Sequence, residues 1–130
     1  MIKGYDVPLK LESEIAGLEE LVNKYKRGEI SSTELKAHRV PFGVYEQRQA
    51  DTYMVRIRCA GGFITPAQLE GVSAIALEYG IRDLHITSRQ ELQIHYVKLD
   101  DIVSIMRRLL AIGLSTRGGG GNTIRNIVAQ

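Results

Sequence analysis

Hydrophobic positions along the chain change period four times. Leu11, Ile15, Leu18, Val22 and Tyr25 recur at helical spacing with Glu, Lys and Asn between them, which predicts an amphipathic helix over 11–27. Gly28 supplies a stop after the basic run Lys24-Tyr25-Lys26-Arg27, which reads as a solvated helix end complementing the dipole. Ser31-x-x-Glu34 has the form of a capping box and predicts a short helix over 32–38. After Pro41-Phe42-Gly43 the period falls to two, and "DTYMVRIRC" (51–59) reads as a strand closed by Gly61-Gly62. Thr65-Pro66-Ala67-Gln68 is a helix start, and Leu69, Val72, Ala76 and Tyr79 carry one face to a stop at Gly80. Residues 82–88 and 91–97 are extended, either as two strands with a bend near Arg89-Gln90 or as one long bulged strand. Asp100 or Asp101 is then expected to cap a helix whose stripe is Ile102, Ile105, Met106, Leu109 and Leu110, ending at Gly113.

This order of elements predicts an α+β fold. A ferredoxin-like β-α-β-β-α unit has an antiparallel-rich sheet with helices on one face, preceded by a helical extension and followed by a Gly-rich segment. The domain reading is an amino-terminal helical extension over 1–40, the ferredoxin-like unit over 41–114 and a further segment over 115–130. No internal repeat is visible.

The stretch "HITSRQELQIHYV" (85–97) carries the chemistry. Read as one alternating run, it puts Ile86, Ser88, Gln90, Leu92, Ile94 and Tyr96 on one face, with the apolar members available to pack under helices. The other face is His85, Thr87, Arg89, Glu91, Gln93 and His95, all polar. In "DTYMVRIRC", Arg56 and Arg58 oppose Tyr53, Val55 and Ile57, so a shared sheet adds arginines to the polar face. Crowded guanidiniums call for an anionic guest or for carboxylates between them, and Asp51, Glu46 and Glu91 are available for the second role.

The third polar stretch is "STRGGGGNTIRN" (115–126). Gly118 to Gly121 allow close backbone approach and an anion-binding nest, with Arg117 and Arg125 on either side. A flexible linker is the competing reading. The loop lacks the GK[ST] ending of a P-loop and the strand and acidic partner of a dinucleotide turn.

Composition narrows the classes. The 130 residues allow one domain, and the formal net charge of +2 gives no support for nucleic-acid binding. The single cysteine, Cys59, cannot form an internal disulfide or ligate an iron–sulfur cluster alone. The three histidines, His38, His85 and His95, lack metal-ligand spacing, so no metal ligands are assigned. No apolar run long enough for a membrane span and no signal-peptide pattern occur, so a cytoplasmic location is the expectation. No nucleophile–base pair is evident.

Residues 35–69 ("LKAHRVPFGVYEQRQADTYMVRIRCAGGFITPAQL"), 86–95 ("ITSRQELQIH") and 115–127 ("STRGGGGNTIRNI") resemble the amino-terminal part of the sirohaem-dependent nitrite and sulfite reductases. The resemblance implies a ferredoxin-like half-domain that pairs with a related half-domain later in the same chain. It implies sirohaem, a cofactor with eight carboxylates, and a [4Fe–4S] cluster whose ligands are absent from these residues. By the same resemblance, Arg89 and Arg125 face the substrate anion as catalytic residues. Arg56, Thr87, Gln93, His95, Thr116, Arg117, Asn122 and Thr123 line or wrap the cofactor.

The implied function is the amino-terminal part of an oxidoreductase that reduces sulfite or nitrite by six electrons. Its partners would be the rest of the reductase chain and an electron donor such as ferredoxin or a flavoprotein. The full reductase is the enzyme, and this chain alone is expected to be inactive. Ser88 where Thr is usual, and glycines where the loop often has Ala-Cys-Gly, depart from the family pattern. Members are also several times longer, so the chain reads as a fragment or a short relative. Residues 115–130 would then begin the sirohaem-binding catalytic domain. The alternative is a stand-alone tetrapyrrole- or anion-binding module in which the half-domain pairs with itself. A lone half-domain exposes surface that a partner would cover, which predicts a homo-oligomer. A precorrin-processing relative is a third reading within the family.

Overall fold

Five short-range signals set the frame. The structure is a computed structural model that describes residues 3–58, 64–86 and 91–117, with side chains from residue 10 onward. Helix α1 (Lys3–Lys26) begins earlier than its apolar stripe predicts and buries Ile15, Leu18 and Val22. Helix α2 (Ser32–Arg39) starts where Ser31 Oγ accepts the Glu34 N–H at 3.0 Å. A 3-10 turn (Val40–Phe42) leads into strand β1 (Val44–Glu46), and strand β2 (Tyr53–Ile57) follows. Helix α3 (Pro66–Glu78) opens with a full capping box: Thr65 Oγ1 accepts from Gln68 N at 3.0 Å, and Gln68 Oε1 accepts from Thr65 N at 3.1 Å. Strands β3 (Leu84–Ile86) and β4 (Leu92–Val97) precede helix α4 (Leu99–Ala111). Gly28, Gly80 and Gly113 take positive φ at the three helix ends where stops are predicted.

The sheet has the order β1-β2-β4-β3, with every neighbouring pair antiparallel. Its helix-side face is built from Val44, Val55, Ile57, Leu92, Ile94 and Val97, each at most 2% exposed. Val72, Ile75 and Ala76 of α3 and Ile102, Ile105, Met106 and Leu109 of α4 close the same core. Helix α1 lies against α4, its apolar stripe in the core and its rim joined to α4 by charge pairs. Arg107 bonds Glu12 and Glu19 at 3.0 and 2.9 Å, and Lys26 pairs with Asp100. These exposed pairs add little beside the buried stripe.

Four expectations change. The predicted order contains one strand before α3, and the structure has two, because Val44–Glu46 is only three residues long and shows no clear alternation. Neither Asp100 nor Asp101 caps α4: both lie in its first turn, the N-cap is Lys98, and the Leu99 N–H points to Asp51 Oδ1 at 3.5 Å. Tyr96 does not pack under the helices. His95 and Tyr96 both sit opposite Met54 in a bulge, so the alternation slips by one and Val97 takes the buried place. Ile86 shares the helix-side register with Leu92 but is 65% exposed, standing at the end of the outer strand. The open choice at 82–97 resolves into two strands, β3 and β4, paired antiparallel.

Gly43 joins the 3-10 turn to β1 where three stretches of backbone come close together. Its φ is +78°, its carbonyl accepts from Arg56 N at 2.8 Å, and an added Cβ would lie 2.9 Å from the carbonyl oxygens of both Arg56 and Thr116. Only glycine satisfies both demands. Gly43→Ala is therefore expected to lower unfolding stability by about 2–4 kcal/mol, read as a reduced urea midpoint with an unchanged slope. A midpoint equal to that of the parent chain would contradict this packing.

Candidate functional site

The sheet face away from the helices carries half-buried and exposed polar groups. Antiparallel pairing puts Arg56 of β2 opposite Gln93 of β4, and Gln93 opposite His85 of β3. A guanidinium, an amide and an imidazole thus form a row across three strands, because directly paired residues project to the same side. His95 adds a fourth group. Its ring stacks on His85 with centroids 4.2 Å apart.

Arg56 lies over the Tyr45 ring at 5.2 Å, and its Nε is 3.4 Å from Glu91 Oε1. Of the carboxylates available to neutralise the arginines, Glu91 therefore sits on this face. Glu46 instead pairs with Arg39 at 3.4 Å, and Asp51 lies at the start of α4.

A hydrogen-bonded loop braces the row from one end. Gln47 N donates to Thr52 O at 2.9 Å, buried Thr52 donates from Oγ1 to Gln49 O at 2.6 Å, and Asp51 takes φ +56°. The Gln47 side chain reaches across to β4. Its Oε1 accepts the Tyr96 N–H at 2.7 Å, and its Nε2 lies 3.0 Å from His95 Nδ1. Tyr96 is a non-glycine residue at φ +61°, so the bulge is strained and Gln47 holds it. His95 Nε2 lies 3.1 Å from Gln93 Oε1.

Three of the ten residues assigned from sequence, Arg56, Gln93 and His95, therefore meet on one face. Thr116 and Arg117 are elsewhere. The Arg58 N–H donates to Ser115 O at 2.8 Å, which docks this segment beside β2, and Thr116 is buried there. Arg117 bonds Glu14 at 3.0 Å and the Pro41 carbonyl at 3.2 Å, with its guanidinium 5.0 Å from the Phe42 ring centre. In this arrangement it ties the segment to α1. Thr87, Arg89, Asn122, Thr123 and Arg125 lie outside the described residues, as does Cys59.

Sequence reading missed Gln47, Tyr45 and the docking of His85 on His95. The last depends on the register His85↔Gln93, which sets His95 one diagonal place from His85 on the same face, and no local pattern fixes that register. Gln47 is one glutamine in a polar loop and carried no signal. Among the described residues no group of His, Cys, Asp and Glu forms a metal site, and no helix is long and apolar enough to cross a membrane.

Residues 45–112, which contain all of the sheet but Val44, match the nitrite/sulfite reductase ferredoxin-like half domain. The chain belongs to that family. The relatives include the assimilatory ferredoxin-dependent nitrite reductase of Haloferax mediterranei, 34% identical over 98 residues, covering 66% of this chain and 17% of that protein. The sulfite reductase [NADPH] hemoprotein beta-component 1 of Pectobacterium carotovorum is 40% identical over 78 residues, covering 59% of this chain and 14% of its own length. The solved structure of the Mycobacterium tuberculosis NirA protein superimposes with a TM-score of 0.62 at 22% identity, over 83% of this chain and 25% of that one, and so confirms the fold. The chain spans about one-sixth of the length of these two curated reductases.

Burial and the neighbouring His85 push the His95 pKa below the ordinary histidine value, against a smaller opposing effect of Asp83. The folded half-domain thus prefers neutral His95 and the unfolded chain binds its proton more readily. The sign follows: this contribution is complete above the unfolded value of about 6.5 and is lost as pH falls below it. His95→Gln is expected to flatten the loss of denaturant midpoint between about pH 7.5 and pH 5.5. An identical pH dependence in the variant would show that His95 is not a source of it.

Proposed function

We propose that this chain supplies the donor-rich sheet face on which a sirohaem-dependent nitrite or sulfite reductase seats its cofactor and substrate anion. The observation that carries the reading is the row Arg56–Gln93–His85 with His95 beside it, on the sheet face away from the described helices. Residues 41–114 form the half-domain, 1–40 its helical extension, and 115–130 lead toward the catalytic domain. In kind, the side chains present fit a planar polycarboxylate: one cation over an aromatic ring, with amide and imidazole groups in register beside it.

Sirohaem, when bound, supplies an iron that takes the substrate oxyanion and passes electrons to it. The work of this chain's own residues is electrostatic. Arg56, Gln93, His95 and Thr87 hold the cofactor edge. Thr116, Arg117, Asn122 and Thr123 follow from the family pattern in the segment after Leu114. Arg89 and Arg125 clamp the substrate anion and stabilise the charge on its departing oxygens. Arginine stays protonated at working pH, so its role is to neutralise charge and order water.

The partners on this reading are the second half-domain and the remainder of the reductase, with ferredoxin or a flavoprotein as donor, in the cytoplasm. The family relationship and the names of the relatives support it.

Titration of the 130-residue chain with sirohaem, followed by visible absorbance, tests the reading. A saturable spectral change is expected, with affinity reduced at least about tenfold in an Arg56→Ala/Gln93→Ala double variant. The chain alone is expected to reduce neither sulfite nor nitrite. No spectral change with the parent chain, or equal affinity in the double variant, would overturn the assignment.

A further inference from the structure

The contacts around Gln47 fix more than the position of a loop. A backbone N–H can only donate, so the Tyr96 N–H at 2.7 Å identifies the Gln47 atom it meets as the carbonyl oxygen. The other end of that amide is then the NH2 group, and it faces His95 Nδ1 at 3.0 Å. An NH2 group can only donate, so Nδ1 accepts and bears no proton. The ring proton of neutral His95 is therefore on Nε2, which lies 3.1 Å from the Gln93 side chain and donates to its Oε1. The amide nitrogen of Gln93 is left as a donor on the open face, directly across from Arg56 in the strand register.

We propose that Gln47 is a positioning residue that sets the hydrogen-bond polarity of this face, holding His95 in the Nε2–H form so that Gln93 presents its NH2 group to an anionic guest. The direction of each bond follows from the first, so one strained backbone N–H in the bulge orients three side chains. Of the groups facing His95, the His85 ring favours the neutral form together with burial, and the Asp83 charge opposes it more weakly. His85 of β3 stacks on it, the Asp83 carbonyl takes its backbone N–H at 2.9 Å, and Tyr96 lies alongside at 6.1 Å between ring centres. A proton on Nδ1 would oppose the Gln47 NH2 group, and that amide cannot turn over without abandoning Tyr96.

The relay is internal to the chain and exists without ligand. Its consequence for binding rests on the function proposed above, but the relay itself can be tested apart from it.

Long-range proton–nitrogen NMR on uniformly labelled chain reads the tautomer and pKa of His95 in the absence of any tetrapyrrole. The parent is expected to show a neutral His95 at pH 7 with its proton on Nε2. In Gln47→Glu a carboxylate oxygen still accepts from Tyr96 N–H while the other faces Nδ1, so Nδ1 is expected to gain a proton and His95 proton affinity to rise at least about tenfold. Backbone spectra of the variant matching the parent away from 47 and 93–97 show that the fold is retained. If Gln47→Glu does not fold, the parent spectrum and a Gln47→Met variant decide: loss of the single tautomer in Gln47→Met supports the relay. A parent His95 carrying its proton on Nδ1, or a Gln47 variant whose His95 titrates and tautomerises as the parent does, would overturn it. Failure of sirohaem to bind leaves these readouts unchanged, so the two results are distinguishable.

Discussion

The pairing of β2 with β4 is the constraint on which the rest depends. These two central strands carry most of the helix-side core through Val55, Ile57, Leu92, Ile94 and Val97, and the same register sets Arg56 against Gln93 on the opposite face. Because side chains alternate with a period of two, a slip of one residue would bury the polar row and expose the core. Core and candidate site are therefore two consequences of one alignment. The bulge at His95 and Tyr96 is the one place where the alignment yields. It lets Val97 reach the core and His95 stand beside His85, at the cost of a non-glycine residue at φ +61°.

The charges divide by task. Arg39 is nearly buried and serves the fold: it donates to the Val44 carbonyl at 2.9 Å, pairs with Glu46 and lies 5.3 Å from the Tyr53 ring centre. Arg117 ties its segment to α1 and Phe42. Arg56 stands on the open face beside Glu91, each side chain about one-quarter to one-third exposed. There an arriving anion would compete with Glu91, whose Oε1 lies 3.4 Å from Arg56 Nε.

Much of this was legible in the sequence, for identifiable reasons. Thr65-Pro66-Ala67-Gln68 names its own helix start because the capping box is local chemistry. Tyr53, Val55 and Ile57 declare their face because alternation is a property of the strand alone. The polar set on 85–95 holds at His85, Glu91, Gln93 and His95, although the two strands run in opposite directions and not on as one. What escaped depends on contacts between distant segments. Asp51 near the start of α4 and Gln47 on the bulge both bridge nearly fifty positions, and no local pattern encodes either. Tyr96 was misplaced because a bulge is a tertiary accommodation. The family motif singles out the strand that carries Gln93 and His95 but gives no means of seeing which amide and ring atoms carry protons.

The most direct measurement of the central claim is where an anionic macrocycle touches the chain. With 15N-labelled protein and increasing amounts of iron-free sirohaem, the account predicts amide shifts concentrated at 54–58, 83–86 and 91–96, with α1 and α4 undisturbed. Shifts centred on the helix layer, with the Arg56–Gln93–His85 row unmoved, would contradict it.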